Sequence, residues 1–119
     1  MRPTRIKRLR PSAARTTLGK RQLEELIEEA IVDAYGESEQ RVGFLSMLQI
    51  KLACPFETEI LGAPAIVEGV DLNDAENIVA ICRRGKHKQI IPILDLPLPS
   101  PRPVGWEWIE AYRRWARGR

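Results

Sequence analysis

Apolar residues recur along this chain in three successive rhythms, and the places where the rhythm changes mark its elements. From Leu23 they fall at Leu23, Leu26, Ile27, Ala30, Ile31 and Ala34, the offsets of an amphipathic helix. At about 100° per residue these fill one arc, while Glu24, Glu25, Glu28, Glu29 and Asp33 fill the opposite one. Gly36 is the expected left-handed residue that ends this helix. Ser38 is the expected N-cap of a second helix, whose apolar positions Val42, Leu45, Leu48 and Leu52 return at helical spacing until Pro55 stops it. The pattern therefore predicts a helical hairpin from about Gln22 to Leu52.

After Pro55 the rhythm shortens. Phe56 to Leu61, Ala65 to Leu72, Asn77 to Cys82 and His87 to Leu94 read as strands, divided by Gly62-Ala63-Pro64, Asn73-Asp74 and Arg84-Gly85. Four short strands with tight turns predict a small antiparallel, SH3-like barrel from Phe56 to Leu96. Pro97, Pro99, Pro101 and Pro103 then enforce an extended connector over residues 97–103. A closing helix from about Gly105 to Ala116 carries Trp108, Tyr112 and Trp115 at i, i+4 and i+7, an aromatic face for docking, with Arg113, Arg114 and Arg117 left in water. The fold class is α+β: hairpin, barrel, closing helix.

With 119 residues, 44% hydrophobic and 29% charged, the chain has the makeup of one ordinary globular domain. No stretch reaches the roughly 18 apolar residues of a membrane span, and the N-terminus lacks the apolar core of a secretory signal. A soluble, cytoplasmic protein is expected. Cys54 and Cys82 form no CxxC pair and His87 is the only histidine, so neither a zinc site nor a disulfide scaffold is indicated. The common catalytic motifs GxSxG, P-loop, HExxH and GxGxxG are absent from the sequence, which disfavours an enzyme.

The net charge of +3 conceals a segregation. Met1 to Arg21 holds eight basic residues and no acidic one, Gln22 to Cys82 holds thirteen acidic residues against Arg41 and Lys51, and Arg83 to Arg119 is again basic. Residues 1–21, with Pro3 and Pro11 and few apolar side chains, read as a disordered basic arm preceding one domain over residues 22–119. Such asymmetry suits either an acidic surface that binds cations or basic ends that bind a polyanion.

On the acidic side, Glu24 and Glu28, Glu25 and Glu29, and Glu29 and Asp33 are like-charge i, i+4 pairs, each unfavourable by roughly 0.2–0.5 kcal/mol. A bound cation, the arm folding back, or salt and water could relieve them. Asp33, Glu37 and Glu39 bracket the reversal at Gly36, a partial oxygen shell of the kind calcium uses. Asp71, Asn73, Asp74 and Glu76 form a second acidic cluster at a strand turn. It opens like an EF-hand loop, but Ala75 and Glu76 stand where a ligand and the glycine belong, so it is not one.

The segments IVDAYG (Ile31 to Gly36), ESE (Glu37 to Glu39) and GFLSMLQIKLACPFET (Gly43 to Thr58) together resemble the cyanobacterial CcbP calcium-binding protein family. The similarity in order runs from about Leu23 to Trp115. It implies a calcium-binding protein, a buffer or signalling component without catalysis, with Ca²⁺ held by surface carboxylates. Asp33, Glu37 and Glu39 match the family motif, and Glu29, Asp71, Asp74 and Glu76 are expected as weaker participants. Three features depart from that family: the chain is basic overall, its second helix is less aromatic, reading Phe44, Leu45, Ser46, Met47, and its arginine-rich arm has no counterpart there.

The competing reading is a nucleic-acid-binding small barrel. Arg2, Arg5, Lys7, Arg8, Arg10 and Arg15 would neutralise phosphates and Arg83, Arg84, Lys86 and Lys88 would extend the track. The intervening acidic block opposes it.

Overall fold

A computed structural model describes residues 18–118; the basic arm falls almost entirely outside the described residues. Among the described residues are three helices, α1 (Lys20–Ala30), α2 (Glu37–Lys51) and α3 (Trp106–Arg117), and four strands, β1 (Phe56–Ile60), β2 (Ala63–Leu72), β3 (Ile78–Arg84) and β4 (His87–Pro92), with a 3₁₀ turn at Ile93–Asp95. The strands form one antiparallel meander in the order β1-β2-β3-β4. β1 and β4 do not pair, so the sheet is open and the expected barrel does not close. Helices complete the core instead: Val67, Ile78, Ala80 and Cys82 on the sheet share one buried cluster with Phe44, Leu48, Ile109 and Tyr112 on α2 and α3.

Local chemistry explains the boundaries. Gly19 precedes α1, and the Gln22 side-chain oxygen accepts its backbone N–H at 3.1 Å, a first-turn device that starts the helix two residues before the expected Gln22. At the first hairpin Leu61 (φ 52°) and Gly62 (φ 79°) are both left-handed, the two-residue turn whose twist suits paired strands. Ile60 thereby faces Ala63, and Ala63 and Pro64 belong to β2 rather than to the turn. The β2–β3 register slips between Val67 and Gly69, a bulge that leaves Glu68 to pair with Arg83.

The core seam lies between α2 and α3. Phe44 packs edge-on to Tyr112 with ring centres 5.5 Å apart and lies 5.3 Å from Trp115. The aromatic face expected of the closing helix is thus present, with Trp108, Tyr112 and Trp115 all buried. Of the row expected on α2, Leu48 and the capping Leu52 are buried and Leu45 is half-buried, whereas Val42 is 47% exposed and Phe44, which meets the aromatic side chains of α3, is buried instead. A side chain at Gly105 (φ 91°) would place its Cβ 2.1 Å from the Lys51 carbonyl oxygen, so only glycine lets the chain pass this close while entering α3.

The connector is docked. Thr58 donates its hydroxyl hydrogen to the Pro97 carbonyl at 2.6 Å, and the segment Pro97–Ser100 borders a groove with Glu57 and Glu59. Prolines beside the edge strand β1 lack N–H groups to continue the sheet. Arg113 is not left in water: its guanidinium donates to the carbonyl oxygens of Ile93 (2.9 and 3.1 Å) and Leu96 (2.5 Å), fixing the 3₁₀ turn to α3. Its burial pushes its pKa down, opposed by nearby Glu110.

Candidate metal site at the α1–α2 corner

Helix α1 ends at Ala30, earlier than its apolar stripe implies. The Ile31 N–H still reaches the Ile27 carbonyl at 3.0 Å and Ala34 N–H reaches Ile31 at 2.9 Å, but Asp33 adopts φ 63°. Asp33, not Gly36, is the left-handed residue of this corner; a short polar side chain makes that conformation accessible. Gly36 (φ −127°) is extended and serves as the N-cap of α2, the role expected of Ser38. Glu39 accepts the Tyr35 N–H at 2.8 Å, and Glu37 and Glu39 both lie in the first turn of α2, where the helix dipole favours anions.

A cleft at this corner is lined by Asp33, Ser38 and Glu39 together with Ala30, Val32, Ala34, Val42 and Gly43. Gly43 seats the elbow: its absent Cβ would stand 2.2 Å from the Ala30 carbonyl oxygen. Val32 and Tyr35 beside it are 68% and 90% exposed.

The β2–β3 turn joins this corner from the sheet. The Asn73 side-chain oxygen accepts the N–H groups of Ala75 (3.0 Å) and Asn77 (2.9 Å), a side-chain turn mimic. Glu76 follows at φ 64°, and its carboxylate accepts the Ser38 hydroxyl at 2.7 Å. Ser38 therefore ties a carboxylate distant in sequence to the first turn of α2. Sequence reasoning missed this role, although Ser38 stands between two glutamates. Asp71 accepts the Leu72 N–H at 2.8 Å, and Asp74 is exposed in the turn.

Glu29 lines a different cleft, with Glu25, Leu26, Trp106 and Glu107. The structure thus brings together Asp33, Glu39 and Ser38 around one cleft with Glu76 bonded to its wall, and sets Glu29 apart. The donors at the corner are carboxylate and hydroxyl oxygens, the chemistry of a hard cation. Among the described residues no group of three or more His, Cys, Asp or Glu side chains converges closely enough to hold a metal ion as it stands. The donor atoms are of the kind calcium takes, but the described residues present no closed set of them.

The charge of the α1 face is relieved in part by one cation from α3 and one on α1 itself. Arg114 of α3 reaches Glu24 at 3.0 Å, and Arg21 lies 3.8 Å from Glu25. His87 is exposed at the β3–β4 turn. Cys54 and Cys82 are free thiols, the first exposed as a residue and the second buried; desolvation, only partial at Cys54, pushes both pKa values up. Among the described residues no helix is long and apolar enough to cross a membrane.

A three-helix, four-strand α+β architecture of this kind has solved counterparts. The chain is similar in structure to Anabaena CcbP, with a TM-score of 0.69 and 20% identity over 85% of this chain and 94% of that one. It is also similar to a structure described as a calcium binding protein in the calcium-binding form, with a TM-score of 0.64 and 23% identity over 90% of this chain and 96% of that one. No protein-family model matches the chain, and no curated protein matches its sequence. The likeness establishes a CcbP-like fold, as the segments from Ile31 to Thr58 lead one to expect.

Proposed function

We propose that this protein binds calcium ions at the α1–α2 corner and acts as a non-catalytic calcium buffer or signalling component. The observation that carries the reading is a cleft at this elbow lined by Asp33 and Glu39, with Glu76 held to its wall through Ser38. Asp33 comes from the left-handed turn, Glu37 and Glu39 from the start of α2, and Glu76 from the sheet through Ser38. The two similar structures, one titled CcbP and the other a calcium binding protein, support the choice of ion.

In this reading Asp33, Glu37, Glu39 and Glu76 supply the protein oxygens and water completes the shell of roughly six to eight ligands. Glu39 keeps one oxygen on the Tyr35 N–H, so ion binding and the geometry of the elbow are coupled. Asp71 and Asp74 add negative potential from the neighbouring turn, and Glu29 does so from α1. With an open shell the affinity falls at about 10⁻⁵–10⁻³ M.

Titration calorimetry of the full chain with calcium is the test. Heat is expected with the parent protein and its loss with Asp33→Asn combined with Glu37→Gln; absence of heat at millimolar calcium, or unchanged binding in the double variant, refutes the proposal. Circular dichroism of the variant separates lost ligation from lost folding.

A further inference from the structure

A second cleft lies along α1, shares no lining residue with the corner cleft, and is of mixed character. It is bordered by half-buried Leu18, Leu26 and Trp106 and by the carboxylate-bearing Glu25, Glu29 and Glu107. An apolar strip edged with carboxylates suits an occupant that combines cationic and aliphatic side chains. The ion pair of Arg21 with Glu25 is long and both groups are more than two-thirds exposed, so it contributes little and leaves the cleft anionic.

The described chain begins in the wall of this cleft, at Leu18. The residues before it include Arg5-Ile6-Lys7-Arg8-Leu9-Arg10, in which two aliphatic residues alternate with four cations, and no acidic residue occurs before Gln22. We propose that this cleft is the docking site for the chain's own basic N-terminal segment, whose mixture of aliphatic and cationic residues complements the apolar strip of Leu26 and Trp106 and the carboxylates of Glu25, Glu29 and Glu107.

Reach permits it. The nine-residue separation from Leu9 to Leu18 spans up to about 30 Å, while the cleft, from Leu18 to Glu29 along α1, extends about 16 Å. A tether of that length holds the segment at an effective concentration on the order of millimolar, so individually weak contacts suffice. The same contact would relieve the like-charge pairs of α1 that Arg21 and Arg114 leave only partly compensated.

The test is zero-length carbodiimide coupling of the dilute full chain, with the products mapped by mass spectrometry. Lys7 is the only lysine before Lys20, and it should couple within monomers to Glu25, Glu29 or Glu107. In a chain carrying Ile6→Ser and Leu9→Ser, which keeps every charge, that yield should fall about five-fold or more. Coupling spread over carboxylates elsewhere, such as Asp74, overturns the proposal. So does coupling found only between two molecules, or a yield unchanged in the serine variant.

Discussion

Helix α1 separates its apolar and charged residues cleanly by face, yet Ala30 is its only buried residue. Helix α2 mixes the two kinds around its circumference and nevertheless buries Phe44 and Leu48 completely. The reason is position. α1 rests chiefly against α3 at the rim of the molecule, whereas α2 contacts the sheet, α3 and the end of α1. A helix with one neighbour needs one apolar stripe; a helix with several needs apolar residues on several faces, which flattens the contrast between them. Amphipathic contrast therefore reports how one-sided the burial is, not how deep.

The contrast has measurable consequences. Phe44→Ala removes a ring held between Tyr112 and Trp115 and should destabilise by about 3–5 kcal/mol in denaturant titration. A loss below about 1 kcal/mol would show that α2 is no more central than α1. Leu26→Ala, on the half-buried stripe of α1, should cost about 1–2 kcal/mol, since less apolar surface returns to water. A loss equal to that of Phe44→Ala would break the distinction between the two helices. Smallest is Glu24→Gln, which removes the ion pair with Arg114. Because both partners are substantially exposed, the change should be under about 1 kcal/mol and should vanish at high salt; a larger, salt-insensitive loss would mean that α1 is fastened by charge rather than by its stripe.

The two clefts beside α1 show how far a functional site can be read in advance. Asp33, Glu37 and Glu39 were singled out by their crowding around a reversal, and the structure does place that reversal between two helices. Glu76 stands, as the sequence leads one to expect, in the strand turn with Asp71 and Asp74, but its bond to Ser38 could not be read there. That contact joins positions 38 residues apart, a separation over which spacing carries no information. The cleft of Glu25, Glu29 and Glu107 was invisible for the same reason, since Glu107 arrives on α3. Arg113, expected in water, is instead engaged by carbonyl oxygens of a turn that only the folded chain puts within its reach.

What the sequence by itself determined is the local alphabet of this protein. The 3.6-residue stripe of α1, the stop near Pro55, the short strands with their turns and the aromatic row of Trp108, Tyr112 and Trp115 each depend on neighbours a few positions away. Backbone sterics and side-chain periodicity act at that range. Tertiary structure alone decided that the sheet stays open. Strand pairing extends to closure only if nothing else covers the apolar face and the edges, and here α2 and α3 fill the face while the proline connector lies along β1. It also decided which carboxylates stand together, because the Ser38–Glu76 bond and the Arg114–Glu24 pair are made between elements whose meeting is set by the packing of Phe44, Leu48 and the α3 aromatics, not by any pattern along the chain.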